Sequence, residues 1–131
     1  MTSEAVVQGF WKAMGSNDFH AASLCLSEDY RCLWPQSGEI IEGRAAFAEI
    51  NLRYPAAGPW YFEVLRCVVE GPQVVTDVAV TDGVLKARAI TFHTVRNGLI
   101  TEQVEYWPDP YDAPTWRGAW VRISQMQKMD L

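Results

Sequence analysis

Apolar residues recur at helical spacing near the start of the chain and at a spacing of two from Trp60 onward. That change of period divides the molecule. Over residues 4–14, Val6, Val7, Phe10, Trp11 and Met14 fall on one stripe, with Ser3 placed to cap the helix and Gly15 to end it. A second, shorter helix is expected from Asn17 or Asp18 as cap, turning Phe19, Ala22, Cys25 and Leu26 inward. Helix, short loop and helix suggest an antiparallel pair. Residues 29–34 read as a short strand closed by Pro35, and Gln36-Ser37-Gly38 as a turn. Residues 39–42 read as a second short strand. Gly43 then precedes a helical run over 44–53 with Ala45, Phe47, Ala48 and Leu52, stopped by Pro55 and Gly58-Pro59.

From Trp60 the pattern predicts strands at 60–70, 74–80, 85–96 and 99–107. Gly71-Pro72, Asp82-Gly83 and Asn97-Gly98 separate them. Asn-Gly suits a type I′ turn, because both residues tolerate φ > 0. Four long strands joined by tight turns make an antiparallel meander, and helices segregated ahead of it make an α+β domain. One twisted sheet wrapped over a few helices leaves a cavity between the layers. After Trp107, Pro108 and Pro110 break the strand. A final helix is expected to open at Ala113-Pro114, with Trp116, Trp120 and Ile123 on one side, packing on the domain or joining a second subunit.

The length of 131 residues fits a single domain, with residues 108–131 as a C-terminal extension. A net charge of −5 without a Lys/Arg cluster argues against nucleic acid as a partner. No stretch approaches the roughly 20 apolar residues that span a bilayer, and the first residues lack the pattern of a secretory signal. A cytoplasmic chain that meets no membrane is expected. Cys25, Cys32 and Cys67 have no metal-ligand spacing and are expected to be free thiols. Six Trp residues can fill a core or line a ligand cavity.

Candidate chemistry centres on Glu105, a carboxylate beside Tyr106 and Trp107. In an aromatic cavity it would be a general base with a raised pKa; on an outer face it would be an ordinary surface charge. Strand parity puts Thr101, Gln103, Glu105 and Trp107 on one face, and Ile100, Glu102, Val104 and Tyr106 on the other. A two-residue turn at Asn97-Gly98 pairs Arg96 with Leu99 and hence His93 with Glu102. That register turns His93 away from Glu105 unless a β-bulge intervenes. His93 shares its face with the small Ala87, Ala89 and Thr91, so it is either structural or an assisting catalytic group. His20 reads as a surface residue. Asp77, inside the apolar run 74–80, lies either on a solvated face or in the cavity as a catalytic assistant. Tyr30, Arg31, Trp34, Tyr61 and Trp107 are the ligand-binding candidates, with Arg31 suited to an anionic group. Trp60 and Phe62 read as core or pocket wall. No H-x-x-x-H, C-x-x-C, phosphate loop or G-x-S-x-G is present, so no metal or cofactor is expected. Cofactor-free acid–base chemistry is the enzyme class left.

The chain resembles the nuclear transport factor 2-like superfamily, within it the SnoaL-like polyketide cyclase branch. The resemblance lies in Phe19 to Asp29 leading into Tyr30 to Pro35, in Ile41-Glu42-Gly43-Arg44 before the third helix, and in Val95 to Trp107 with its N-G-L-I turn and E-Y-W end. It implies a cone-like, cystatin-like architecture: a curved, mostly antiparallel sheet wrapped over N-terminal helices. It also implies a pocket for a small, largely apolar molecule and a homodimer through the sheet face. Catalytic relatives place a carboxylate on the last strand, the position of Glu105 here, and use it for isomerisation, cyclisation or dehydration. Noncatalytic binding and dimerisation modules share the fold. The Arg-x-Asp and Tyr-x-Asn of limonene epoxide hydrolases are not reproduced at Thr76-Asp77-Val78-Ala79 and Arg31-Cys32-Leu33, which argues against epoxide hydrolysis.

Overall fold

The computed structural model describes residues 1–130. Three helices precede or interrupt the strands: α1 (Ser3–Gly15), α2 (Phe19–Ser23) and α3 (Arg44–Arg53). Six strands follow the order β1 (Leu26–Trp34), β2 (Glu39–Glu42), β3 (Tyr61–Glu70), β4 (Gln73–Thr81), β5 (Lys86–Arg96) and β6 (Leu99–Tyr106). They form one sheet in the spatial order β2-β1-β6-β5-β4-β3. Every neighbouring pair is antiparallel except β1 with β6, which is parallel. The expected α+β architecture, with helices on one face of a mostly antiparallel sheet, is the observed one.

The stripe read from the first helix is the face it buries. Val6, Val7, Phe10, Trp11 and Met14 are all core residues. Each large apolar side chain so buried contributes about 1.5–3 kcal/mol. The cap is Thr2 rather than Ser3: its side chain accepts from the Ala5 N–H at 3.1 Å. Ser3 is thereby free to donate to the Gly71 carbonyl at 2.5 Å, tying the helix to the β3–β4 turn. The second helix starts after Asp18 but is only five residues long, and Leu26 already belongs to β1. Asn17 explains the tight turn between the two helices. It takes the left-handed conformation at φ 62° and grips Trp60, accepting from its N–H and donating to its carbonyl, both at 2.8 Å.

The meander forms where the pattern placed it, with two departures that decide the site. In β6, Ile100 pairs with Val95 but Glu102 with Thr94, so Thr101 is an extra, bulged residue. In β3, Leu65 is skipped in the same way between Val64 and Arg66. Each bulge switches which side chains face the helices. Ile100 points inward before the bulge, and Gln103 and Glu105 point inward after it.

The final helix does not form. After Trp107 the described chain is irregular except for one 3₁₀ turn, Thr115–Arg117. Gly118 and the β-branched Val121 and Ile123 disfavour a helix, and a short helix with no packing surface is marginal in water. Trp116 and Trp120 are accordingly 74% and 80% exposed. The segment is tied back near its end, where Arg88 donates to the Met129 carbonyl at 2.5 Å and Lys128 pairs with Asp112 at 2.8 Å.

Candidate functional site: an acid in an aromatic cavity

The site is built from the middle of the sheet outward. β6 lies between β1 and β5, so Glu105 stands directly across from Thr91 and one step from Trp34. With the side chain inward, Oε2 accepts from the Thr91 hydroxyl at 2.7 Å. Oε1 accepts from two indoles, Trp34 Nε1 at 3.1 Å and Trp107 Nε1 at 3.0 Å. Glu105 is only 9% exposed. Among the described residues none of its hydrogen-bond partners is a cation. Burial pushes its pKa up from 4.5, while the three donors oppose that shift without cancelling it.

This carboxyl faces a cavity of about 100 Å³, walled by Phe10, Met14, Trp34, Phe47, Trp60 and Trp107 together with Ile41, Ile50 and Phe62. Tyr30, Cys32, Asn51, Tyr54 and Gln103 add polar atoms to a mainly apolar wall. The volume lies below the several hundred Å³ of a typical drug-sized pocket, which points to a small occupant. Tyr30 is almost fully buried, and desolvation, assisted by the nearby Cys32 and Glu105, raises its pKa. Burial and the charge of Glu105 push the Cys32 thiol up to about 12, so both groups keep their protons at neutral pH.

Behind the wall runs a buried chain of polar groups. Tyr30 hydrogen-bonds to Gln103 Oε1, and Gln103 Nε2 meets His93 Nδ1 at 2.8 Å. His93 Nε2 meets Thr76 Oγ1 at 2.8 Å, and Trp11 Nε1 donates to that hydroxyl at 3.2 Å. Burial pushes His93 down from 6.5 to about 3, so the ring is neutral.

The site differs from the sequence reading at four residues. The bulge at Thr101 pairs His93 with Gln103, not Glu102, so His93 shares the inner face with Glu105. It nevertheless sits behind Gln103 rather than on the cavity wall. Asp77 points to the opposite face, because the inward positions of β4 are Val74, Thr76, Val78 and Val80. There it makes a bidentate pair with Arg88 at 2.6 and 3.0 Å and approaches Arg66 at 3.7 Å. Arg31 also lies outside, 3.8 Å from Glu102, and Tyr61 is 63% exposed. Neither lines the cavity. Tyr30, Trp34, Trp107 and Glu105 are brought together as expected, and Trp60 and Phe62 belong to the wall. Thr91, Gln103, Cys32 and Thr76 were not singled out. Gln103 carried a signal in its shared parity with Glu105, and Thr91 in its shared parity with His93. Among the described residues no group of three acidic, His or Cys side chains could hold a metal ion. None of their helices is long and apolar enough to cross a membrane.

Helices over one face of a six-strand mixed sheet are the α+β architecture of nuclear transport factor 2-like proteins. The SnoaL-like domain model matches residues 7–103, and the chain belongs to that family. A protein of Kribbella flavida DSM 17836, provisionally assigned as a ketosteroid isomerase, is 27% identical with a TM-score of 0.86, over 95% of this chain and 91% of that one. An NTF-2 like protein of unknown function from Burkholderia xenovorans LB400 is 31% identical with a TM-score of 0.76, over 93% and 94%. An LEH-like epoxide hydrolase from M. tuberculosis shares the fold at 21% identity and a TM-score of 0.66, over 81% and 82%. No match was found among curated protein sequences.

Proposed function

We propose that the protein binds a small, largely apolar molecule in the aromatic cavity and moves a proton on it, with Glu105 as the base and no cofactor. The observation that carries this reading is a buried carboxylate held by three neutral donors in an apolar hollow. A structural carboxylate in such a place would ordinarily be paired with a cation. Desolvation raises proton affinity, as a general base working near neutral pH requires. Isomerisation, cyclisation and dehydration all begin with such a proton transfer. The isomerase assignment of the Kribbella relative, 27% identical, favours the same chemistry.

Glu105→Gln keeps an oxygen for the two indoles and turns an NH₂ toward Thr91, whose hydroxyl oxygen can accept from it, but removes the base. Turnover is expected to fall by about 10²–10⁴-fold. Ligand binding, read as a raised melting temperature, is expected to persist. Unchanged turnover in the variant would refute the catalytic role. Retained ligand stabilisation in a protein that turns nothing over would favour the second reading, a binding module. A homodimer through the outer sheet face belongs to either reading. Ile90, Phe92, Val104 and Tyr106 form an apolar groove there with Gln36 and Pro108, and Phe92 is 45% exposed.

A further inference from the structure

Both indoles that donate to Glu105 Oε1 lead back to the turn between β1 and β2. Trp34 ends β1 and opens that turn, its carbonyl accepting from the Ser37 N–H at 3.2 Å and the Gly38 N–H at 2.8 Å. Trp107 stands one residue past β6, beyond the last pairings of that strand, Val104 with Leu33 and Tyr106 with Ile90. Those pairings leave its peptide groups without a ladder partner, and Pro108 has no N–H to extend the strand. The Gln36 carboxamide takes the place of a strand peptide there. Its Oε1 accepts from the Trp107 N–H at 2.5 Å, and its Nε2 donates to the Trp107 carbonyl at 3.0 Å. A backbone N–H can only donate and a carbonyl can only accept, so the two bonds fix which way the amide points. Gln36 itself is exposed and does not line the cavity.

We infer that Gln36 is a positioning residue: by clamping the Trp107 backbone it aims that indole at Glu105 Oε1, so that the β1–β2 turn sets both donors on that oxygen. The catalytic meaning of this clamp rests on Glu105 being the base, as proposed above; the geometry does not. Two indole donors favour the ionised carboxyl against the effect of burial, and so keep the proton-accepting form available toward neutral pH. Without the clamp, a residue beyond the strand end frays, and Oε1 keeps one indole of two.

The test is the ¹³C titration of the Glu105 carboxyl, its signal identified by loss in Glu105→Gln. It compares the natural protein, Gln36→Met, Trp107→Phe and the double variant. Trp107→Phe is expected to raise the midpoint by about one pH unit, because a hydrogen bond to the ionised group is lost. Gln36→Met keeps the reach of the side chain without its polar end. It is expected to give at least half of that rise alone and none on top of Trp107→Phe, as a residue acting through the indole must. A glutamine that merely closed the strand end would lower the melting temperature and leave the midpoint in place. A midpoint unmoved in either single variant, or a Gln36→Met rise that persists in the Trp107→Phe background, overturns the inference. In a second arm the Trp107 indole N–H, identified by its loss in Trp107→Phe, is expected to exchange with deuterium about tenfold faster in Gln36→Met. Unchanged exchange would also overturn it. Gln36→Ser is expected to give the same shifts and stands in should Gln36→Met not fold. A natural midpoint at or below 4.5 would instead end the base reading, and the differences among the variants would still decide the role of Gln36.

Discussion

Two buried titratable side chains, His93 and Glu105, tie stability to pH in opposite senses. The unfolded chain protonates His93 near 6.5, the native ring only near 3. Between those values the unfolded state binds more protons, so stability falls as pH falls, by up to about 1.4 kcal/mol per pH unit. Glu105 is the reverse case. Its native pKa lies above 4.5, so its contribution is complete below 4.5 and is lost as pH rises through the native value. Urea denaturation between pH 3 and 7 should therefore show a steep acid limb that flattens in His93→Gln. An unchanged slope would mean that the ring is not buried neutral. Glu105→Gln should gain stability relative to the natural protein as pH rises. At this scale the sequence was informative about identity and weak about direction. It singled out Glu105, Trp34 and Trp107, but an alternating run such as Val74 to Val80 does not say whether Asp77 or its neighbours face the helices. Asp77 faces out because Arg88 and Arg66 lie on that side to neutralise it.

The elements show where patterns succeed and where they stop. The α1 stripe, the α3 span and the Asn97-Gly98 turn were legible because each rests on a local rule, and both turn residues adopt positive φ, 52° and 75°. The bulges at Leu65 and Thr101 were not legible. An extra residue in a strand is fixed by the neighbouring strand and the packing above it, and both sequences remain compatible with unbroken alternation. The parallel docking of β1 on β6 is equally non-local. In the tail, apolar spacing alone suggests a helix even where no surface exists to bury it, and only a 3₁₀ turn forms. One joint carries unusual weight. Asn17 closes the α1–α2 turn and clamps the start of β3. Asn17→Ala would lose three side-chain hydrogen bonds, two to Trp60 and a longer one to the Gly15 carbonyl, and force a Cβ-bearing residue without a compensating side chain into the left-handed region, a loss of about 2–3 kcal/mol. Chemical denaturation of that variant checks it. A loss below about 0.5 kcal/mol, the level of an ordinary surface substitution, would show that the clamp contributes little.

For the molecule as a whole, the two faces of the sheet differ. The inner face and the helices enclose the acid. The outer face carries an apolar groove of Ile90, Phe92, Val104 and Tyr106, and we propose that a second copy docks there. Sedimentation at micromolar concentration should then give a dimer, and Phe92→Glu should shift it to monomer while leaving the cavity intact. A natural protein that sediments only as a monomer would remove that proposal. The dimer and the chemistry are independent, since Phe92 and Glu105 lie on opposite faces.

The most direct measurement is the titration of the Glu105 carboxyl itself, followed by its ¹³C shift and identified by the signal's loss in Glu105→Gln. An acid enclosed among the neutral donors Trp34, Trp107 and Thr91 should take up its proton at a pH above 4.5, and turnover should rise with pH through the same midpoint. A midpoint at or below 4.5 would describe a carboxylate in water or beside a positive charge. It would contradict the claim that this strand delivers a proton acceptor into an aromatic cavity.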